Sequence, residues 1–574
     1  MGQYLVSVSN SASYYDSSMP GYGVAQGSIM VLFGYQLGPA ELMQAPGFPM
    51  PADLGGTSIK VTVGGVTLNA PIVYTSAGQV AALLPSSTPT GRGTLLPTYK
   101  GKAGYPIGIN VVASAFGIYS LLSNGLGAGV ITTPDYKVKT LADSFRPNDI
   151  GVLWGTGLGA VAGDDSAGPL AGPQFPGAEV YVGNQRAKVL YAGRSGCCAG
   201  LDQINFEVPT GVQGCFVPIA VRNGGVTSNF VSLPVASGGG PCWEPVGLPA
   251  DLLRAAQSGQ AINVSAVGLG PVSVLQALGF RYSRSLANRL SATLRMKITE
   301  KQVLDLMGAS TSGRRKLITE LVRKGSRNAL DRLALLGALV PLAQGFDQQG
   351  SAARFGRLAA LDGVVSQFGE VLPPPGTCTV YSQAIDSRAN WNPRTKAFDA
   401  GPELVLSGPL GTRTLSRVSE GLYQTSFGGG FTAGQLPAGR YSVSSIGGAD
   451  VGPFSASIDV TADLRWTNKT ATAVVDRSVP LDVTWSGGAS SGYVVFGGSA
   501  TSDLTGVGRL FACVEDIRQR RFTVPVYVLG ALPDSRKGYL FLGTHPLQYQ
   551  FFAKGLDAGF VADLTSDNRE VPFR

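Results

Sequence analysis

The apolar positions of this chain recur at every second residue over short stretches, and glycine or proline ends nearly every stretch. "IKVTVGG" (59–65) and "AEVYVG" (178–183) alternate apolar and polar side chains and close on Gly-Gly or Gly-Asn, which predicts hairpin strands. The rhythm returns in "ELVLSG" (403–408), "GRYSVSSIGG" (439–448), "FSASIDV" (454–460), "LDVTWSGG" (481–488), "GYVVFGG" (492–498) and "FTVPVYVLG" (522–530). Short strands of this kind, joined by Gly-rich turns, predict a mainly β chain built of sandwiches.

One apolar run raises a competing reading. "VLWGTGLGA" (152–160) leads into Gly155-x-Gly157-x-x-Ala160, with Glu179 twenty residues past Gly159, in the manner of a dinucleotide fingerprint. The following "AVAGDDSAGPLAGPQFPG" is too rich in Gly and Pro to supply the helix N-terminus that holds a pyrophosphate. An internal repeat explains the motif instead. "VLFGYQLG" (31–38) aligns with "VLWGTGLG" (152–159), and "IKVTVGGVTLNAPIVYTSAGQVAALLP" (59–85) with "AEVYVGNQRAKVLYAGRSGCCAGLDQINFEVP" (178–209). Tyr74 falls on Tyr191, and the first copy has no Gly at the place of Gly157, so the repeat does not preserve a phosphate cradle. Each copy has the size of a small sandwich domain.

The order "NSASY…GSIMVLFGYQLGP…LGGTSIKVTVGGV…APIVYTSAGQVAALLP", with "GLDQINFEVP" and "GGVTSNFVSLPV" in the second copy, resembles a family of paralogous secreted proteins of soil acidobacteria. The resemblance covers about residues 10–235, with echoes in "PPPGTCTVY" and "LPAGRYSV". It implies tandem IPT/TIG-like, immunoglobulin-like modules and an extracellular location, and it carries over no catalytic residue. The expected organisation is a first Ig-like sandwich (1–125), a second, Cys-containing one (126–245), linker strands with a basic helical insert (246–372), and a C-terminal β-sandwich region (373–574) of one or two domains.

Composition supports this. Of the 574 residues, 79 are Gly and 36 Pro, only 14% are charged and 44% are apolar, which fits many turns around a sizeable buried core. Six cysteines, Cys197, Cys198, Cys215, Cys242, Cys378 and Cys513, show no CxxC spacing beside a single histidine, which argues against zinc and for disulfides in an oxidising compartment. Cys378 and Cys513 are expected to pair, and Cys197 and Cys198 to bond outward, because adjacent Cα atoms lie too close for a relaxed bridge. "MGQYLVSVSNSASYY" lacks the basic start and continuous apolar core of a signal peptide, so for a secreted protein this chain is expected to be the mature part. The uncharged stretch 255–280 carries Gln, Asn, Gly and Pro271 and is not expected to span a membrane.

The net charge of +8 is local. Residues 281–332 hold thirteen Lys/Arg against four acids, leaving the remainder of the chain near neutrality. The insert reads as amphipathic helices over about 284–341, with a Thr299–Gln302 capping box and a stop at Pro341. Arg314, Arg315, Lys316, Arg323, Lys324 and Arg327 form its candidate contact with an anionic polymer or polysaccharide. Its helix-turn-helix rhythm also suits nucleic acid, a role the extracellular reading disfavours.

No catalytic constellation emerges. Gly488-Ala-Ser490-Ser-Gly492 fits a nucleophile elbow but feeds a strand, so a hairpin turn is expected there. His545 sits in "GTHPLQ", a turn, and Asp164–Asp165 lie in a loop expected to be solvated rather than to hold Ca²⁺. The expected function is therefore that of a secreted, non-catalytic surface, adhesive or assembly component, without cofactor or metal and with homo-oligomeric contacts open. The alternative is a carbohydrate-binding accessory protein, marked by exposed aromatics among Trp154, Trp243, Trp391, Trp466 and Trp485, most of which are expected to be buried.

Overall fold

The structure, a computed structural model, describes residues 4–15, 19–121, 123–244, 250–258, 260–271, 349–359, 372–382, 398–419, 421–426, 437–461, 464–503, 508–545, 549–563 and 566–574. The basic insert, with its expected helices over 284–341 and Arg314, Arg315, Lys316, Arg323, Lys324 and Arg327, lies outside the described residues, as does Trp391.

The chain is mainly β. Alternation produces the strands directly: in Thr57–Val63 the positions of Thr57, Ile59, Val61 and Val63 are buried and those between them are not. The hairpin turns Gly64-Gly65, Gly183-Asn184 and Gly224-Gly225 all have positive φ at both residues, the geometry whose twist matches the flanking strands.

In the first module the strand Ile29–Tyr35 lies between Tyr4–Asn10 and Gln79–Leu83 in one sheet. Thr57–Val63, Gly91–Tyr99 and Ile107–Val112 form the other. Leu32, Ile59, Val61, Val80 and Ile109 fill the space between them. The second module repeats the arrangement with Ile150–Thr156, Asp202–Glu207, Gln185–Arg194, Glu179–Val182 and Gly214–Asn223 around Leu153, Val180, Ile204 and Ile219.

The two copies agree to the residue. Val31 and Leu32 face Ala81 and Val80, and the aligned Val152 and Leu153 face Asn205 and Ile204. A bulge precedes Tyr74 in the first copy and Tyr191 in the second, opposite the aligned Ala81 and Asn205. They differ at Pro71, which separates Val66–Ala70 from Ile72–Thr75, where the second copy runs one continuous strand, Gln185–Arg194.

Beyond residue 260 the strands Ala261–Pro271 and Gln349–Ala359 pair with each other inside a nine-stranded sheet completed by residues 403–460 and 549–563. The expected boundary between 372 and 373 thus runs through one sheet. A second unit, built on Thr377–Ser382, Tyr493–Thr501, Gly508–Asp516, Ser535–Thr544 and Ser566–Phe573, has its own core around Trp466, Trp485, Phe496 and Phe511. The chain feeds these two cores alternately. "GASSG" is no hairpin turn, because Leu481–Ser486 and Tyr493–Thr501 pair into different sheets.

Candidate functional site

The fingerprint-like residues 155–160 turn out to be structural. Ile150–Thr156 is followed by a long loop, not a helix. Gly157 has φ +108 and the aligned Gln36 has φ 56, so both copies need a left-handed residue at this turn. In the second copy the turn feeds a buried ion pair. Asp202 accepts the Leu158 N–H at 2.7 Å and pairs with Arg194, and Arg194 also donates to the Gly159 carbonyl at 2.6 Å. Burial pushes the Asp202 carboxyl upward, against the pull of Arg194 and of the backbone N–H donors. Glu179, the would-be ribose ligand, pairs on the surface with Arg186 at 2.9 Å and with Arg222 at 3.8 Å.

Arg194 and Asp202 stand opposite each other in neighbouring strands, so their pairing closes the loop 195–201. That loop forms one wall of an open cleft of about 420 Å³ lined by Tyr119, Ser120, Ser123, Val130, Tyr136, Trp154, Cys197 and Leu201. Trp154 projects from Ile150–Thr156 and donates its indole N–H to Thr132 Oγ1 at 3.1 Å. Tyr136 stacks on it with ring centroids 6.0 Å apart and planes 25° from parallel. A tight turn presents Tyr136: the Thr133 N–H bonds the Lys137 carbonyl, the Tyr136 N–H bonds the Thr133 carbonyl, and Tyr136 itself has φ 63. The ring is 73% exposed while Trp154 beneath it is 8% exposed.

The opposite wall is tied to the first module. The Tyr119 hydroxyl bonds Ser11 Oγ at 2.8 Å, and burial raises its pKa well above the ordinary phenol value. Asn229, fully buried, bonds both the N–H and the carbonyl of Ile118 and fixes the segment leading into the cleft. Asn10 of the first module donates to the carbonyls of Ala115 and Thr156, each at 2.9 Å. Asp165 is buried rather than solvated: it accepts the Ser86 backbone N–H at 2.6 Å and the Ser86 hydroxyl at 3.0 Å, clamping the 160–175 loop onto the first module. Asp164 is exposed and caps Ser166.

The cysteines partition simply. Cys215 bonds Cys242, Cys378 bonds Cys513 between directly opposed strand positions, and Cys197 and Cys198 are exposed thiols. The outward bonds expected for Cys197 and Cys198 do not form, because the other four cysteines pair among themselves. Of the described tryptophans, Trp154, Trp466 and Trp485 are buried and Trp243 is 64% exposed.

Around His545 the geometry offers little room. Ser491, His545, Asp459 and Asp563 line a space of about 20 Å³, which fits a water molecule and not a substrate. Burial pushes the His545 imidazole down to about 3, which keeps it neutral. Among the described residues no cluster of three or more His, Cys, Asp or Glu is placed to hold a metal ion, and no helix is long and apolar enough to cross a membrane.

Tyr119 and Tyr136 escaped the sequence reading. The one available signal is the Pro-Asp-Tyr turn at 134–136, a turn tip carrying an aromatic.

No protein-family model matches the chain, and no curated protein matches it. Among solved structures it is similar to SGBP-B from a complex xyloglucan utilization locus in Bacteroides uniformis, at 12% identity and TM-score 0.14, over 42% of this chain and 50% of that one. It is likewise similar to domains 5–6 of the S-layer protein SbsC, at 15% identity and TM-score 0.16, over 41% of this chain and 98% of that one. Domains 4–9 of the same S-layer protein align over 97% of this chain and 83% of theirs, at 12% identity and TM-score 0.16. The chain thus spans half the length of the SGBP-B it resembles.

Proposed function

We propose that this chain is a secreted, non-catalytic cell-surface component that holds a glycan in the cleft between Tyr136, Trp154 and Tyr119. The observation that carries the reading is Tyr136, a large aromatic ring stacked on Trp154 and kept in water by a tight, left-handed turn. Sugar rings present apolar C–H faces and hydroxyl edges. An exposed aromatic face takes the first, and the exposed hydroxyl of Ser123 at the rim suits the second. A volume of about 420 Å³ falls within the range of roughly 300–1,000 Å³ usual for small-molecule sites. Among the described residues no carboxylate lines the cleft, whereas glycoside hydrolysis ordinarily needs two, and this supports binding without turnover. Two disulfides support the extracellular location. Adhesion to a glycan-coated surface, or a place in an assembly on it, is the role such a site would serve.

The test is affinity electrophoresis of the full chain through gels containing neutral soluble polysaccharides, with fluorescence titration of the corresponding oligosaccharides. Retardation by at least one polysaccharide is expected, and Tyr136→Ala should weaken binding about tenfold, or ~1.4 kcal/mol. Trp243→Ala, at another exposed aromatic, should leave it unchanged. Absence of retardation across the panel, or equal loss in both variants, would overturn the reading.

A further inference from the structure

The two thiols at the cleft rim have no role in holding the fold. Cys197 lines the cleft, both side chains are exposed, and every other cysteine is engaged in a disulfide. We propose that Cys197 and Cys198 form a reversible dithiol–disulfide site that exchanges with small-molecule disulfides and closes to a vicinal bridge at the edge of the cleft. The chemistry balances without a further reactant. The Cys197 thiolate attacks one sulfur of R–S–S–R and expels R–S⁻, which takes up a proton. The Cys198 thiolate then attacks Cys197 Sγ and expels the second R–SH. The protein loses two electrons and two protons, and the disulfide gains them as two thiols.

Geometry makes the bridge labile. Adjacent Cα atoms lie about 3.8 Å apart, short of the ~4.4–6.8 Å span of relaxed disulfides, so closure strains the ring and favours its reduction. The loop tolerates this closure better than a strand would. It is an irregular turn flanked by Gly196, whose missing side chain faces open space apart from Ala171, and by Gly200 at φ +71. The Arg194–Asp202 pair holds its two ends, confining the change to 195–201. In the reduced pair, partial burial and then the hydrogen bond to Cys197 push the Cys198 thiol up to about 12; the burial remains once Cys197 is in the mixed disulfide, so ring closure should accelerate with rising pH. The inference does not depend on what the cleft binds.

The test equilibrates the full chain in buffers of reduced and oxidised glutathione, traps free thiols by alkylation, and maps the peptides by mass spectrometry. The expected product carries neither alkyl group nor glutathione on Cys197 and Cys198 and is lighter by two hydrogens. It should require an oxidised-to-reduced ratio about tenfold or more above that needed by Cys215–Cys242, whose Cα atoms lie 5.2 Å apart. Cys198→Ser should stop at one glutathione on Cys197. Phenylarsine oxide, which bridges two neighbouring sulfurs, should bind the reduced wild type one to one, and neither the oxidised protein nor the variant. Glutathione on both cysteines, a disulfide-linked dimer, or two alkylated thiols at the most oxidising ratio would each overturn the proposal.

Discussion

The Arg194–Asp202 pair holds the loop 195–201 at the cleft, and removing one partner is the most informative perturbation of the site. Arg194 is 1% exposed and Asp202 fully buried, so Asp202→Asn keeps the side-chain shape while leaving a guanidinium in a dry place. What remains for Arg194 is the Gly159 carbonyl and the Phe175 ring, whose centroid is 5.8 Å from its Cζ. Breaking a buried ion pair in this way costs about 3–5 kcal/mol. Arg194→Met strands the carboxylate instead and should cost about 3 kcal/mol at neutral pH.

The double variant decides the matter. Combining Arg194→Met with Asp202→Asn leaves no buried charge, and the new amide oxygen still accepts the Leu158 N–H, so the main loss is the donor to Gly159. Its cost should stay near 3 kcal/mol rather than the ~6–8 kcal/mol of an additive pair, a coupling of about 3–5 kcal/mol. The Arg194→Met penalty should also shrink in acid. Burial already raises the Asp202 pKa above its unfolded value, so the folded state takes up the proton first, and that stabilisation is lost as pH rises through the folded pKa. Because the chain has several separate cores, global unfolding is the wrong readout. Hydrogen exchange of the segments 151–158 and 202–208 reads the local opening free energy. A change below about 1 kcal/mol in Asp202→Asn, or additivity in the double variant, would refute the reasoning.

Two further outcomes follow from the same structure. His545, the sole histidine, should remain neutral until about pH 3 while the fold persists, so its single labelled resonance should not titrate near the unperturbed 6.5. Its folded pKa lies below the unfolded one, so its contribution is present above 6.5 and lost as pH falls from there toward 3. At pH 5 the loss is on the order of 2 kcal/mol, and His545→Asn should flatten that acid limb in the C-terminal unit. Asp165→Ala removes both acceptors of Ser86 and should loosen the first module from the second by about 1–3 kcal/mol, seen as faster exchange in residues 84–88 and 160–167 with the 57–63 strand unaffected.

Strand positions and the repeat were legible because they depend on local alternation and on aligned residues. The pairing of Val31 with Ala81 and of Val152 with Asn205 is the register implied by aligning the two copies. What could not be read was decided by contacts across long stretches of chain. Asp165 looks like a loop carboxylate until Ser86 meets it 79 residues away. Asn184 looks like ordinary turn chemistry, yet its side chain accepts the Tyr527 hydroxyl at 2.7 Å and the Cys378 N–H at 3.1 Å, docking the second module on the C-terminal unit. Ala261–Pro271 read as a linker strand because its neighbours, Gln349–Ala359 and Ala558–Asp563, are remote in sequence.

The cleft is confined to the second copy. Phe33 and Trp154 occupy the same aligned position, and each lies under a tyrosine held at positive φ: Tyr14 at 55° and Tyr136 at 63°. A left-handed backbone is unfavourable for a tyrosine, so its recurrence marks a placement that the surrounding structure enforces. In the first copy the tyrosine is packed in. Tyr14 is half-buried, and burial together with the nearby Tyr74 raises its hydroxyl to about 12. In the second copy the corresponding ring stands 73% in water, and the loop opposite it, lengthened between Tyr191 and Asp202, carries the two thiols. Fold stability alone would favour the closed arrangement, since exposing an aromatic ring forfeits roughly 1.5–3 kcal/mol of burial. On the proposed reading, the open ring is the face that the glycan covers.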